Sequence, residues 1–333
     1  MVTIKDVAEQ AGVSIATVSK ILNGADMHIS EATRCRVRNI INESGYISNS
    51  IARGLKLRKT YTLGFILPDI TNPYFSEIAR GIEDTARHHQ YSVIFCNTDD
   101  TLNIEQRTLE LFKSKMVDGI IFSHVLSGAE KYDLSSVGDT PFVIIDRCMN
   151  QEAKRNLGAY GEVYVNTAEA IYDATMRLFQ SGCRNIACIT AVEGEKYSRY
   201  NGYRKALADK NIVYAEELVY LNEFSVKTGV DGMKAILNVR TDVDGVVCGN
   251  DLIAIGVLDV LRERQIAIPE QIRVIGMDNI LFSNFTVPRL STIAQPAYEM
   301  GKAAADMLIN HIEYHMPLYA KTFAHSYVAR ETV

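Results

Sequence analysis

Two groups of residues in this sequence could do chemistry, and in both the chemistry is recognition. The first group follows short apolar runs. Asp69 and Asn72 follow LGFIL, Asn97-Thr98-Asp99-Asp100 follow SVIFC, and Asp146-Arg147 follow FVII. Asn250-Asp251 follow GVVC, and Asp278-Asn279 follow RVIGM. Carboxylates, amides and an arginine fork can hold hydroxyls, carboxylates or phosphates. Taken singly, each reads as an Asx turn or a helix cap, and Asn250 or Asp251 could simply cap the next helix. As a set they occupy the same place after each strand, which is where open α/β sheets collect ligands. The second group, Ile15, Ala16, Thr17, Ser19 and Lys20, is what remains on the outside of a short helix once its apolar stripe is assigned. Nothing points to bond-making chemistry. There is no G-x-G-x-x-G, P-loop or G-x-S-x-G, and PDITNPYF stands where a glycine-rich loop would follow the first strand. The six cysteines are scattered without metal-ligand spacing, and His88-His89 end a helix facing solvent. The sequence therefore predicts no enzyme, no metal and no cofactor.

The elements that position the second group lie at the N-terminus, in VTIKDVAEQAGVSIATVSKILNG. Apolar Ile4, Val7, Ala8 and Ala11 recur at helical spacing and predict a helix over 4–10. Thr3 and Asp6 form its capping box. Gly12 allows the reversal, and Ser14 caps a second helix over 15–22 with Val18, Ile21 and Leu22 inward. Two helices joined by a short glycine turn are the helix-turn-helix of DNA readers, whose second helix fits the major groove. An ordinary helical hairpin is the alternative. Asn23-Gly24-Ala25-Asp26 is a turn. Ser30 caps a third helix ending at Gly45, whose Val37, Ile40 and Ile41 close a small core. Thr3, Ser14, Ser19, Asn23, Ser30, Thr33, Tyr46 and Asn49 are candidate phosphate contacts, and a hydroxyl that caps a helix can serve both roles.

Charge supports this placement. The chain has 35 Lys/Arg and 40 Asp/Glu, net −5, which looks wrong for a nucleic-acid binder. Residues 1–60 hold nine basic and five acidic side chains, net +4, leaving 26 and 35, net −9, for the rest. A basic head on an acidic body puts phosphate attraction where the helix-turn-helix sits. No apolar run approaches the roughly 18–20 residues of a membrane span, and the N-terminus is a helix-turn-helix, not a signal peptide. Together with the dispersed cysteines this predicts reduced thiols and a cytoplasmic protein.

From Tyr61 the pattern alternates. Apolar strands over 63–67, 92–96, 119–123 and 142–145 are separated by amphipathic helices, and a second set follows at 185–189, 218–221, 245–248 and 273–276. Continuous apolar strands between such helices predict two doubly wound parallel sheets. The fold class is an all-α helix-turn-helix head plus an α/β core.

TIKDVAEQAGVSIATVSKILNG resembles the N-terminal signature of LacI-type bacterial transcription repressors. Later stretches resemble the effector-binding core of that family, itself similar to periplasmic sugar-binding proteins: LGFILPDITNPYFSEIARGIED, VDGIIF, NGYRKAL, GNDLIAIGVLDVLRE, VIGMDNI, PRLSTIAQPAYEMG and VARET. The resemblance covers nearly the whole chain. It implies a DNA-binding domain over 1–46, a hinge over 47–60, and an effector-binding and dimerisation core over 61–333. The first lobe would take about 61–162 and 293–321, the second about 163–292 and 322–333. It implies base contacts from Ile15, Ala16 and Lys20, and a hinge helix that forms on DNA and wedges Leu55 into the minor groove. It implies effector contacts from Tyr74, Phe75, Asp146, Arg199, Asn250 and Asp278, beside Asp69 on the same rim.

The chain departs from the family in places. Asn166-Thr167 stands where an Asp-Asn pair is common, and Lys20 replaces an arginine. Asp306 occupies the position where one branch uses an arginine to bind a phosphorylated carrier protein, which argues for a small-molecule effector instead. The sequence ends after VARET without the tetramerising helix that some members carry, so a homodimer is expected. The expected function is a repressor that reads a pseudo-palindromic operator in double-stranded DNA under control of a sugar or sugar acid. The alternative is a solute-binding receptor module without DNA regulation.

Overall fold

The computed structural model describes residues 2–22, 24, 26–46, 59–125, 138–147, 160–193 and 198–333. Asn23, Asn49, Leu55 and most of the expected hinge lie outside the described residues. The chain divides into two units, Met1–Thr60 and Tyr61–Val333.

In the first unit, α1 spans Ile4–Ala11, α2 Ile15–Leu22 and α3 Glu31–Ser44. Thr3 Oγ1 accepts from the Asp6 N–H at 3.3 Å, and Asp6 Oδ2 accepts from the Thr3 N–H at 2.8 Å, closing the capping box. Gly12 sits at φ +62° with open space around its missing Cβ, so it is needed for backbone conformation and not for room. Val7, Ala8, Ala11, Val18, Ile21 and Val37 form the small core, with Leu22, Ile40, Ile41 and Tyr46 packed on it. Arg34 on α3 pairs with Asp26 at 2.6 Å and with Glu31, and donates to the Asp26 carbonyl at 3.2 Å. This pins the loop between α2 and α3.

The second unit holds two sheets. The first contains β1 (Thr62–Leu67), β2 (Ser92–Asn97), β3 (Gly119–Phe122), β4 (Phe142–Ile145), β5 (Tyr160–Val165) and β11 (Ala320–Phe323), in the order β11-β5-β4-β3-β1-β2, all parallel. Helices α4 (Pro73–His88) and α10 (Ala297–Tyr314) cover one face, and α5 (Leu102–Lys115) covers the other. The second sheet contains β6 (Ile186–Ala191), β7 (Val219–Asn222), β8 (Gly245–Cys248), β9 (Arg273–Asp278), β10 (Ser291–Ala294) and β12 (Ser326–Val328), ordered β12-β10-β9-β8-β6-β7. Its helices are α6 (Thr167–Gln180), α7 (Arg199–Asp209), α8 (Val226–Val239) and α9 (Asp251–Glu263).

The strands read from the sequence are present, but β5, β10, β11 and β12 add to them. β12 also runs antiparallel to β10, so the second sheet is not purely parallel. The lobe limits shift accordingly. β5 and β11 carry the first sheet through Val165 and Phe323, while β10 belongs to the second sheet and runs across the expected boundary at 293 to Ala294. The reason is pairing: β11 aligns with β5, and β10 with β9. The chain thus passes between the sheets three times, at 165–167, 294–297 and 323–326. Among the described residues no helix is long and apolar enough to cross a membrane.

Candidate functional site

On the head, Ile15, Ala16 and Lys20 are exposed on one side of α2, opposite buried Val18 and Ile21. Ile15 keeps 47% of its surface, which leaves an apolar side chain available on that side of the helix. Ser14 Oγ accepts from the Thr17 N–H at 3.1 Å, and Ser30 Oγ accepts from the Thr33 N–H at 3.3 Å. Thr3, Ser14, Ser30 and Thr33 are therefore all engaged in capping while staying at least partly exposed. Ser19 and Tyr46 are half-buried, Tyr46 against the small core.

In the core unit, the strand ends converge as their order requires. Tyr74, on the first turn of α4, is buried and donates its hydroxyl to Asp146 Oδ1 at 2.7 Å. Its ring meets Phe75 edge-on at 5.3 Å. Burial pushes the Tyr74 hydroxyl pKa well up, and Asp146 and Asp278 push it further, while Arg199 opposes them. Arg199 opens α7 from the other lobe. Burial disfavours its charge, yet Glu193, Asp278, Asp146 and Tyr74 together hold its pKa above the ordinary arginine value. Asp278 ends β9 and accepts from Gln295 Nε2 at 2.8 Å. Burial drives its pKa well above the carboxylate range; Arg199 counters this, and Asp251 and Asp146 add to it. Tyr74 and Asp146 from one lobe thus share an electrostatic environment with Arg199 and Asp278 from the other. The backbone pays locally for this placement: Asp146 (φ +69°) and Asp278 (φ +109°) both lie in the left-handed region.

The remaining expected residues behave differently. Asn250 is buried and caps α9, its Oδ1 accepting from the Ile253 N–H at 2.9 Å. Asp69 does not join the cluster. Its Oδ1 accepts from the Thr71 N–H and hydroxyl, both at 2.8 Å, in an Asx turn that fixes its own loop. Asn166 caps α6 through the Glu169 N–H at 3.2 Å. Arg147 pairs with Asp100 and donates to the His124 carbonyl at 2.9 Å, while its Nε stays 3.9 Å from Asp146 Oδ2.

Three features were not legible in the sequence. Arg199 lies over the Phe224 ring at 4.5 Å. Its backbone N–H donates to Glu193 Oε2 at 2.8 Å while its Nη1 pairs with Glu193 Oε1. Asp251 is fully buried. Its Oδ2 accepts from the Ile280 N–H at 2.9 Å and the Ser283 hydroxyl at 2.6 Å, and its Oδ1 accepts from the Thr292 hydroxyl at 2.6 Å. A Cβ on Gly276 would come within 2.1 Å of that Oδ1, so glycine is required there for close approach. The only sequence signal for Asp251 was its place after a strand, which it shares with residues that merely cap.

Residues 3–49 match the family described as bacterial regulatory proteins, lacI family, and residues 175–333 match the periplasmic binding protein-like domain. The chain is similar to the HTH-type transcriptional regulator RegA of Clostridium saccharobutylicum, with 36% identity over 99% of this chain and 98% of that protein. It is similar to the ribose operon repressor of Bacillus subtilis (35%, covering 94% and 92%) and to catabolite control protein A of Priestia megaterium (31%, covering 93% and 92%). Among solved structures it resembles the transcriptional regulator CelR–cellobiose complex, with TM-score 0.72 and 25% identity across the full length of both chains. It also resembles a LacI family transcriptional regulator from Enterococcus faecium with bound ribose, with TM-score 0.69 and 28% identity over 81% of this chain and 98% of that one.

Proposed function

The chain belongs to the lacI family of bacterial regulatory proteins, and on that premise we propose that it is a cytoplasmic repressor whose hold on operator DNA is set by a small molecule bound between its core lobes. The observation that carries this reading is the joint burial of Tyr74, Asp146, Arg199 and Asp278 from both sheets. Such a cluster binds a polar ligand and needs no covalent step. Asn250, Phe75 and Phe224 would supply a further amide and two aromatic faces. A sugar fits this donor and acceptor set, as do the cellobiose and ribose named for the two structural relatives.

On the DNA side, the exposed face of α2 would lie in the major groove. Ile15 and Ala16 would read thymine methyls and groove shape, and Lys20 would contact an acceptor as a single charge without a bidentate fork. Thr3, Ser14, Ser19, Asn23, Ser30, Thr33, Tyr46 and Asn49 would hold phosphates, and Leu55 would enter the minor groove. The active form would be a homodimer on a pseudo-palindromic site. Exposed Leu281, Phe282, Phe285 and Val287 after β9 form an apolar patch suited to a second copy, and so does exposed Phe95 on edge strand β2. Lobe closure on the ligand would change operator affinity by about 5–150-fold, the usual reach of a 1–3 kcal/mol coupling.

The test is operator selection from random duplexes with the full chain, followed by titration of the selected duplex with sugars. A two-fold symmetric site whose affinity responds to one of them supports the proposal. Operator affinity indifferent to every sugar, or no symmetric site at all, counts against it.

A further inference from the structure

Glu193 stands two residues beyond the end of β6. Arg199 is the first residue of α7, with Ser198 as its cap. A cation at a helix N-terminus is unfavourable, because that end already carries partial positive charge. The same arrangement, free N–H groups beside a guanidinium, is what binds a carboxylate or phosphate. Here the protein fills it with its own carboxylate. Glu193 takes the Arg199 N–H with one oxygen and its Nη1 with the other. Both side chains are more than nine-tenths buried. The second arginine of the rim, Arg147, is likewise held by both oxygens of Asp100.

What remains around the cluster is negative or neutral. Asp278 accepts from a neutral donor, Gln295, and Asp146 accepts from Tyr74, with only the Asp100-bound Arg147 as a cation nearby, its Nε 3.9 Å from Asp146 Oδ2. Among the described residues, the buried polar atoms without a hydrogen-bond partner include two on side chains of this cluster. One is Arg199 Nε, a donor, and the other is Gln295 Oε1, an acceptor on the side chain that binds Asp278. Hydroxyl groups satisfy both, since each can donate and accept. An anion would meet two carboxyl groups, while both arginines at the cluster are already paired with Glu193 and with Asp100, and an unpaired buried charge is costly.

We propose that Glu193 is a specificity residue: by occupying Arg199 and the first turn of α7, it makes the cleft take neutral polyhydroxyl ligands and refuse carboxylates and phosphates. The inference rests on reading this cleft as the effector site, and it removes sugar acids and phosphosugars from the candidate effectors.

The test uses the full-length protein and matched ligands in calorimetric titrations: galactose against galacturonate, and glucose, ribose and cellobiose each against an acid or phosphomonoester of the same sugar. In parallel, inorganic phosphate is titrated into wild type and Glu193→Gln, each saturated with duplex DNA to cover the phosphate contacts of the head, and followed by its phosphorus NMR linewidth. The wild type should bind a neutral member with its anionic counterpart at least about tenfold weaker, about 1.4 kcal/mol, and leave phosphate unbroadened. Glu193→Gln should close most of that gap and broaden phosphate. An anion that binds wild type as tightly as its neutral counterpart overturns the proposal, and so does phosphate binding to wild type. If the variant does not fold, the wild-type pairs alone decide. If no sugar of either kind binds, the effector reading fails, while the phosphate arm still decides whether the cleft excludes anions.

Discussion

Replacing Asp251 by Asn isolates one buried charge without dismantling its surroundings. The amide can place its oxygen where Oδ2 now accepts from the Ile280 N–H and Ser283, and its nitrogen where it donates to the Thr292 hydroxyl, which can accept. Packing against Gly276 is unchanged in volume. What disappears is the ionisation. Burial pushes the Asp251 pKa from 3.8 up to about 6, against the opposing pull of Ser283, Thr292, the Ile280 N–H and Arg330. Because this pKa is higher in the folded state, native protein binds the proton more tightly than unfolded chain does. The associated stability is fully present below pH 3.8 and is lost as pH rises through about 6. At about 1.4 kcal/mol per pH unit, this loss amounts to about 3 kcal/mol. The side chain is fully buried, so solvent screening does not reduce it. Urea unfolding of the core transition, for wild type and Asp251→Asn across this range, cancels the titrating groups that do not interact with Asp251, leaving its own ionisation and its smaller coupling to Asp278. The variant should gain about 3 kcal/mol on wild type between the two limits and hold that gain above them. A difference that stays flat with pH, or that moves the other way, would refute the argument that this carboxylate is ionised at the cost of its burial.

Other expected outcomes follow from single contacts. Tyr74→Phe removes the donor to Asp146 and should weaken sugar binding about tenfold or more, since a hydrogen bond to a charged group contributes about 1.5–3 kcal/mol; titration calorimetry reads it. Gly12→Ala meets no atom within 4 Å, so its cost is purely the left-handed backbone, about 1 kcal/mol, seen as a lower melting temperature of the head by circular dichroism. Lys20→Ala should relax preference at one base pair of each half-site by about 1–3 kcal/mol, whereas Ser14→Ala should weaken all duplexes alike; competition binding with single-base operator variants separates the two. Phe285→Glu, in the exposed patch after β9, should shift the protein from dimer to monomer in sedimentation and lower operator affinity while leaving sugar binding intact; a dimer that survives this change would move the interface elsewhere.

The local features were legible because their causes are local. Thr3 and Asp6 close a capping box three residues apart, Ser30 caps α3, Gly12 and Gly45 take the left-handed turns, and Val7, Val18 and Val37 fall on their helices' inner faces. The apolar runs of β1, β3, β4, β8 and β9 announce strands covered on both faces. Resemblance to a family, more than periodicity, singled out Tyr74, Asp146, Arg199 and Asp278, and the structure buries all four.

What the sequence could not supply depends on partners far apart in the chain. β5 alternates buried and half-exposed positions and joins a sheet with β11, some 160 residues away. Nothing local distinguishes Asp251, a buried anchor for Ile280, Ser283 and Thr292, from Asp69, which closes a surface turn. Glu193 reads as a loop glutamate until α7 brings Arg199 against it. Sequence alone determined the helices of the head and the eight apolar strands, because period, caps and turns act over a few residues. Tertiary structure alone decided which charges meet and which are buried, because that depends on distances the chain sets only when both sheets are assembled.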